Sequence, residues 1–432
     1  MIQRTQPKGS LIAGLDIGSH KIACLIGRVI DDDGGVEIIG AGYQASEGIK
    51  SGAIVEIERA GHAIRQAIHA AEKMASQIMQ GYPLRDITLS VSGTLTHSYH
   101  RDIAVNIANQ TITQDDIERI LSKIQSNTLN DQGNAPRNNM DNQELIHTIL
   151  TKCAIDGQEG IRSAIGMTGE TMEVTAHVMS GDINPLQNMV QCLERSHLDI
   201  SALCAASYAA GLSSIVSDEM DLGCTLIDMG AGTTSIATFQ NGAMTFTDTI
   251  PLGGWHVTND IAAGLSCSHS DAERIKALYG SAIVTDNDDH ELIDVPQLGE
   301  TDQHTTNHIS RSLLIGIIQP RLEEIFELVT EKLKNNDLGI TPARRVILTG
   351  GASQLPSMRE LAQTVMNKQV RLGRPIRLSG LPDAVNGPAF SVAAGLLIYQ
   401  SSKCHEIPAE LLSSTQGDSL WDTVKRWWKE NW

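Results

Sequence analysis

LIAGLDIGSHKIACLIGRVI (residues 11–30) and LGCTLIDMGAGTTSIATFQNGAMTFTDTI (residues 222–250) share one pattern: an apolar strand ending in Asp-x-Gly, a turn, and a second apolar strand. Glycine lets the backbone reverse after each aspartate, and the apolar runs on either side read as buried strands. One Asp-x-Gly is a common turn; two in the same strand-turn-strand frame predict a duplicated α/β lobe. Outward from the first copy, residues 36–45 add a third strand, and residues 56–80 place Ala60, Ile64, Ala67, Ile68, Ala71, Met74 and Ile78 at helical spacing. Residues 87–91 read as a strand, Thr113 as the N-cap of a helix, and the polar run 127–143 as a mobile loop. Residues 172–179 alternate as a strand and 184–197 read as a helix. The uncharged stretch 200–217 carries five serines and reads as a buried helix rather than a membrane span. Beyond the second copy, helices are predicted over 255–265, 270–279 and 309–334, the last kinked or joined at Pro320, with a polar acidic loop over 285–307. A strand and glycine turn (345–351) and helices over 355–366 and 390–399 follow, then a linker over 401–417.

At 432 residues the chain has length for two to four domains. Its net charge of -18 sets the bulk surface against nucleic acid and acidic lipid alike, so any membrane contact must be local and no nucleic-acid partner is expected. Seven cysteines, none in a CxxC pair, and an apolar stretch at 11–15 too short for an export signal point to a reduced, cytoplasmic protein. Aromatics are scarce, yet four of the five tryptophans fall in the last 12 residues, which sets the tail apart from its parent chain.

A carboxylate at a strand end beside a glycine turn can hold a hydrated Mg2+, and the backbone N–H groups that follow point at phosphate oxygens. The duplicated motif therefore places a nucleotide tail between the two copies. Asp16, Gly18, Ser19 and Lys21 would lie on one side, with Lys21 as a point charge near the phosphates, and Asp228, Gly230, Gly232, Thr233 and Thr234 on the other. Asp16 and Asp228 are the candidate metal-side residues, acting through water.

DIGSHK (16–21), DMGAGTT (228–234) and VILTGGASQLPSM (346–358), in that order, resemble the phosphate-one, phosphate-two and adenosine motifs of the actin, heat-shock chaperone and sugar-kinase ATPase superfamily. IPLGGWHVTNDIAAGL (250–265), DAERIKALYG (271–280), CAIDGQEGI (153–161) and FSVAAGLLIY (390–399) narrow the resemblance to the bacterial FtsA cell-division family, over essentially the whole chain. It implies an α/β, actin-like ATPase fold: two duplicated RNase H-like lobes around a nucleotide cleft, an inserted subdomain and a C-terminal amphipathic helix. The implied divisions are first-lobe core (1–85), insert (86–164), first-lobe core again (165–203), second-lobe core (204–255), its outer subdomain (256–344), core and closing helix (345–400), linker (401–417) and tail helix (418–432). The resemblance further implies ATP with Mg2+ as cofactors, Gly253 and Gly254 at the phosphates, Gly350, Gly351, Ala352 and Ser353 along the adenosine, and Glu273 and Lys276 at its ribose or base. His20 and Trp255 depart from the family pattern and carry no assigned role.

Placed at 100° per residue, Leu420, Trp421, Val424, Trp427, Trp428 and Trp432 fall within an arc of about 140°, with Lys425 at its edge and Lys429 opposite. Tryptophan favours the lipid headgroup level and lysine can snorkel to anionic lipid, so this helix of about 20 Å reads as lying flat on a membrane. The family resemblance adds partners: self-assembly into actin-like filaments, the C-terminal peptide of the tubulin-like protein FtsZ, received around Asn307 and Arg311, and other division proteins, at the cytoplasmic face of the cell membrane at the division site. Arg311 could pair with a carboxylate of an acidic peptide. The chain would then bind ATP with at most weak ATPase activity, since no group that orients an attacking water is legible. The alternative is a small-molecule, sugar-type kinase, but no substrate-side carboxylate base is identifiable and the tail has no purpose there. His304 and His308 stand at zinc-pair spacing in polar surroundings, and Asp286, Asp288, Asp289 and Glu291 read as a solvated acidic loop rather than a calcium site.

Overall fold

The computed structural model describes residues 6–108, 110–130, 143–161, 163–296, 306–335 and 345–402. The linker beyond residue 402, the membrane-facing set from Leu420 to Trp432, His304 and residues 131–142 of the polar run lie outside the described residues.

The first motif copy forms β1 (Leu11–Ile17) and β2 (Lys21–Val29), antiparallel with Asp16 opposite Ala23. β3 (Val36–Ala45) pairs next, and a short hairpin, β4 (Ile49–Lys50) and β5 (Ala53–Ile54), leads into α1 (Ile57–Met79). Helix α1 lays Ala60, Ile64, Ala67, Ile68 and Ala71 on the sheet. Small residues let it come so close that a Cβ on Gly42 would stand 2.1 Å from the Ala67 carbonyl oxygen. β6 (Asp86–Val91) runs parallel to β1. A 3-10 turn, Gly93–Leu95, opens the insert, which holds β7 (Thr96–Asn106), α2 (Gln114–Asn130), β8 (Gln143–Ile155) and β9 (Thr171–Asp182) in a sheet of order β7-β9-β8. Ile112, Ile117, Ile120, Leu150 and Val174 give it a core of its own. α3 (Ile183–Glu194) and β10 (Asp199–Ala205) return to the first lobe.

α4 (Ala206–Ser214) and α5 (Ser217–Leu222) lead to the second copy: β11 (Cys224–Met229), β12 (Thr234–Gln240) and β13 (Ala243–Ile250). Then come α6 (Gly254–Leu265), α7 (His269–Tyr279), the hairpin β14 (Leu292–Pro296) and β15 (Thr306–Ser310), and α8 (Arg311–Lys334). β16 (Arg345–Thr349), α9 (Met358–Met366), β17 (Gln369–Leu372), β18 (Leu378–Ser379) and α10 (Ser391–Ser401) complete the described chain. The sheet order β13-β12-β11-β16-β17 repeats β3-β2-β1-β6-β10 strand for strand, with β11 parallel to β16 as β1 is to β6. The duplication legible in two turns thus extends through five strands. Between the lobes α4 and α10 cross in contact: a Cβ on Gly395 would fall 1.7 Å from the Ala209 carbonyl oxygen.

Several expectations need correction. Residues 86–91 belong to the first-lobe sheet, because β6 pairs with both β1 and β10, whereas residues 171–182 are the central strand of the insert, which therefore spans 93–182. The stretch 200–217 is not one helix: its first part is β10, paired parallel to β6. Residues 127–130 continue α2 and Gln143 starts β8. Thr113 does stand at the N-cap of α2, where its N–H and hydroxyl both donate to the Asp116 carboxylate. Residues 285–307 are not all loop, since they hold β14 and the start of β15. Asp288 is buried there, accepting from the Thr285 N–H at 2.6 Å and from Arg311 at 2.9 Å, so it is no solvated acid. Helix α8 runs on through Pro320; the carbonyl that the proline leaves unpaired belongs to Gly316, on the exposed face where water can satisfy it.

Candidate functional site: an interlobe cleft

The two Asp-x-Gly turns close with the same hydrogen bond. The Gly18 N–H donates to the Lys21 carbonyl at 3.0 Å, and the Gly230 N–H to the Thr233 carbonyl at 2.9 Å. They face each other across a cleft of about 530 Å³ between the lobes. A Cβ on Gly232 would stand 2.7 Å from Ser19 Oγ, so the turns nearly touch. Gly350, at φ +86°, carries the adenosine-motif loop past the second turn, where a Cβ would meet Asp228 Oδ1 at 2.4 Å. Glycine is required there both for its conformation and for its size.

Of the residues expected at phosphate and adenosine, all but Thr234, Gly253 and Ser353 line this cleft. Thr234 is buried behind it and donates to the Leu252 carbonyl at 2.8 Å. Ser353 is buried with its hydroxyl on the Gly350 carbonyl at 2.7 Å, fixing the loop from within. Gly253 braces the second turn from outside, since a Cβ there would stand 2.6 Å from the Gly230 carbonyl oxygen, which accepts from the Gly254 N–H. These three support the loops rather than face the cleft.

Asp16 accepts from Ser90 Oγ at 2.8 Å, and that hydroxyl accepts in turn from the Ile17 N–H at 3.2 Å. Burial raises the Asp16 carboxyl above its ordinary range, against the Ser90 bond and the Lys21 charge. Burial and the Asp16 charge push Asp228 up to about 7. Burial lowers Lys21 to about 8, opposed by both aspartates. Lys21 Nζ donates to the Ala389 carbonyl at 2.6 Å and lies 3.2 Å from the Phe390 ring centroid, so its charge is tied to the entry of α10 rather than standing free over the phosphates. Two carboxylates that burial pushes up in one cleft, Asp228 further raised by the Asp16 charge, fit a divalent cation, which would relieve the cost of their charges. Among the described residues no group of three or more His, Cys, Asp or Glu side chains could hold a metal, so a cation here would complete its shell with water and phosphate.

At the other end, Lys276 Nζ donates to Glu273 at 2.7 Å, Thr258 Oγ1 at 2.7 Å and the Gly254 carbonyl at 3.1 Å. Burial opposes ionisation of Glu273, but hydrogen bonds from Lys276 and Thr258 and the charges of Lys276 and His20 hold its carboxyl below the ordinary range. The cleft also takes in residues with no assigned role or no sequence signal: His20, Gly52, Ser90, Ser92, Ser235 and Trp255. Trp255 stacks on His269 with ring centroids 5.6 Å apart and is 41% exposed. Ser90 and Ser235 sit inside apolar strands, where a small polar residue attracts no notice.

The two peptide-site candidates lie together but differ. Asn307 is exposed on β15, paired with Val295. Arg311 is already engaged: its guanidinium donates to the Tyr279 carbonyl at 2.8 Å, to Asp288 at 2.9 Å and to Glu291 at 3.2 Å. It holds the start of α8 and does not stand ready for a carboxylate from outside. His308 pairs with Asp294 at 2.6 Å on the same hairpin. No helix of the described residues is long and apolar enough to cross a membrane.

Comparisons with known proteins agree with this architecture. The family model "Cell division protein FtsA" matches residues 225–395, and the model "SHS2 domain inserted in FTSA" matches residues 93–180, close to the insert's structural bounds. The chain is 34% identical over 436 aligned residues to cell division protein FtsA of Rhizobium meliloti, covering 98% of this chain and 95% of that one. It is 33% identical to FtsA of Escherichia coli, with 92% of each covered. Among solved structures it resembles the PilM-PilN type IV pilus biogenesis complex, at TM-score 0.61 and 15% identity over 90% of this chain and 98% of that one. It also resembles MreB5 of Spiroplasma citri bound to ADP, at TM-score 0.53 and 12% identity over 92% and 98%. At such identities these structures speak to the fold alone, an actin-like ATPase fold. With relatives above 30% identity over nearly its whole length and the family's own insert in place, the chain belongs to the FtsA family of cell division proteins.

Proposed function

We propose that the chain binds ATP with Mg2+ in the interlobe cleft, assembles with copies of itself into actin-like filaments, and ties FtsZ filaments to the cytoplasmic face of the cell membrane at the division site. The observation that carries the nucleotide reading is the pair of matched glycine turns facing each other across the cleft, each beside a half-buried aspartate. A bound cation would neutralise phosphate charge; the chain's own part is to hold that cation's waters with Asp16 and Asp228, and to present the backbone N–H groups of both turns to the phosphates. Gly350, Gly351 and Ala352 would flank the nucleoside, with Glu273 and Lys276 at its ribose or base. That a solved structural neighbour is bound to ADP supports the same use of the fold.

Family membership supports FtsZ and further division proteins as partners, with the peptide received near Asn307, while Arg311 keeps the β15–α8 junction in shape for it. Membrane attachment rests on the sequence of the tail: four tryptophans and flanking lysines on a short amphipathic segment, separated from α10 by a polar linker. One such tail binds reversibly, and many tails on one filament gain avidity by a factor on the order of 100 or more. Co-sedimentation with anionic vesicles, comparing the full chain with one ending at Gly417, with and without Mg-ATP, tests the reading. The full chain alone should pellet, more completely with Mg-ATP. If the shortened chain pellets equally, the tail is not the anchor; if Mg-ATP changes nothing and does not bind, the cleft is not an ATP switch.

A further inference from the structure

Ser92, just after β6 in the first lobe, and Ser235, on β12 in the second, both line the cleft. Gly93 brings them together. A Cβ there would stand 1.9 Å from Thr249 Oγ1 and 3.1 Å from Ser235 Oγ, so the first turn of the insert rests against the second lobe. Ser90, two residues earlier, is committed to Asp16 and to the Ile17 N–H. Ser92 is not so committed: its hydroxyl has a 3.4 Å contact with Thr94 Oγ1, whose own proton goes to the Ser51 carbonyl at 2.7 Å. Ser235 Oγ accepts from Thr249 Oγ1 at 3.2 Å and keeps its own proton to give. The first phosphate turn is tied to the same spot, because Ser19 Oγ accepts from the Gly52 N–H at 3.2 Å, and a Cβ on Gly52 would stand 2.2 Å from the Ser92 Cβ.

Two hydroxyl donors, one from each lobe, therefore converge beside both phosphate turns, at the point where the insert meets the second lobe. We propose that Ser92 and Ser235 hold the terminal phosphate of a nucleoside triphosphate between them, so that a triphosphate, unlike a diphosphate, fastens the first lobe and the insert's first turn to the second lobe. The inference rests on the reading of the cleft as an ATP site and adds to it the residues that tell ATP from ADP. Neutral donors suit this place. They bond an anionic oxygen strongly without adding a fixed charge, so the cleft does not hold a diphosphate there by attraction alone. A diphosphate ends at the glycine turns and leaves the two serines unbridged.

Calorimetric titration of the full chain with Mg-ATPγS and with Mg-ADP tests this, for the parent, Ser92→Ala, Ser235→Ala and the double variant. Each alanine should weaken ATPγS by about tenfold, the worth of one hydrogen bond to a charged group, and leave ADP affinity unchanged. Retained ADP affinity is also each variant's evidence of correct folding. If ADP weakens as much as ATPγS, or if ATPγS is unaffected, the clamp is wrong while the ATP site stands. If the parent binds neither nucleotide, the ATP reading falls and the clamp falls with it.

Discussion

Asp228 shows how a residue placed for a ligand can cost the empty protein stability. Burial and Asp16 hold its carboxyl at about 7, above its ordinary value of 3.8. A raised folded-state pKa means the folded chain binds the proton more tightly than the unfolded one. Its contribution is therefore fully present below about pH 4 and is lost as pH rises through about 7. Asp228→Asn keeps the shape and removes the charge. Nucleotide-free Asp228→Asn should thus melt a few degrees above the parent at pH 8 and little differently at pH 5, while losing Mg2+-dependent ATP binding; a variant that melts below the parent at pH 8 would contradict this. The aspartates were legible because their motif is local, a carboxylate two residues before a turn glycine. The neighbouring Thr234 was not, because adjacent strand residues point to opposite faces: Ser235 lines the cleft and Thr234 bonds the Leu252 carbonyl behind it. Arg311 misled for a related reason. Its number in the chain was readable, but the acceptors that occupy it arrive from α7 and from the turn after it.

At the scale of elements, the crossing of α4 and α10 joins the lobes. α4 lies on the second-lobe sheet, with Gly211 against the Phe239 ring, and α10 lies on the first, with Leu396 against Gly14. At the crossing Gly395 has no room even for a methyl group, since the atom in the way is the Ala209 carbonyl oxygen of the backbone. Gly395→Ala should destabilise the chain by about 1–3 kcal/mol or more in denaturant unfolding, as the helices must part. Gly316→Ala, on the open face of α8 with nothing within 4 Å, should instead stabilise by about 0.5–1 kcal/mol through helix propensity. Equal effects from the two would mean that helix propensity, not the crossing, decides. The helix α10 was readable as an apolar run, whereas the stretch 200–217 read as a single helix. From Ile200 onward strand β10 and helix α4 share one uncharged composition of small and apolar residues, and only pairing with β6 makes the first part a strand. Propensity has no access to that partner.

For the whole molecule, the insert does more than decorate the first lobe: it covers the edge strand β13 of the second. His177 on β9 marks the seam. Its Nδ1 meets the Met244 carbonyl at 3.1 Å, which requires a proton on that nitrogen, and its Nε2 then accepts from Ser98 Oγ at 2.6 Å. His100 stacks on it at 5.2 Å. Sequence could not announce this contact, since it joins positions 67 residues apart through a boundary that composition had put elsewhere. Burial, with His100 and His147 adding to it, lowers His177 to about 3. For a lowered histidine the sign is opposite to that of Asp228: the stability it contributes is present above about pH 6.5 and is lost as pH falls from there toward 3. Between about pH 4 and 6.5 the two groups pull against each other, each by at most about 1.4 kcal/mol per pH unit. The parent's nucleotide-free stability should therefore vary less steeply across that window than that of a chain lacking either group. His177→Gln should expose the Asp228 slope, falling as pH rises, whereas Asp228→Asn should expose the His177 slope, rising with pH. Melting curves of the three proteins from pH 4.5 to 7.5 decide it, and two variants whose slopes share one sign would show that the seam and the cleft are not balanced in this way.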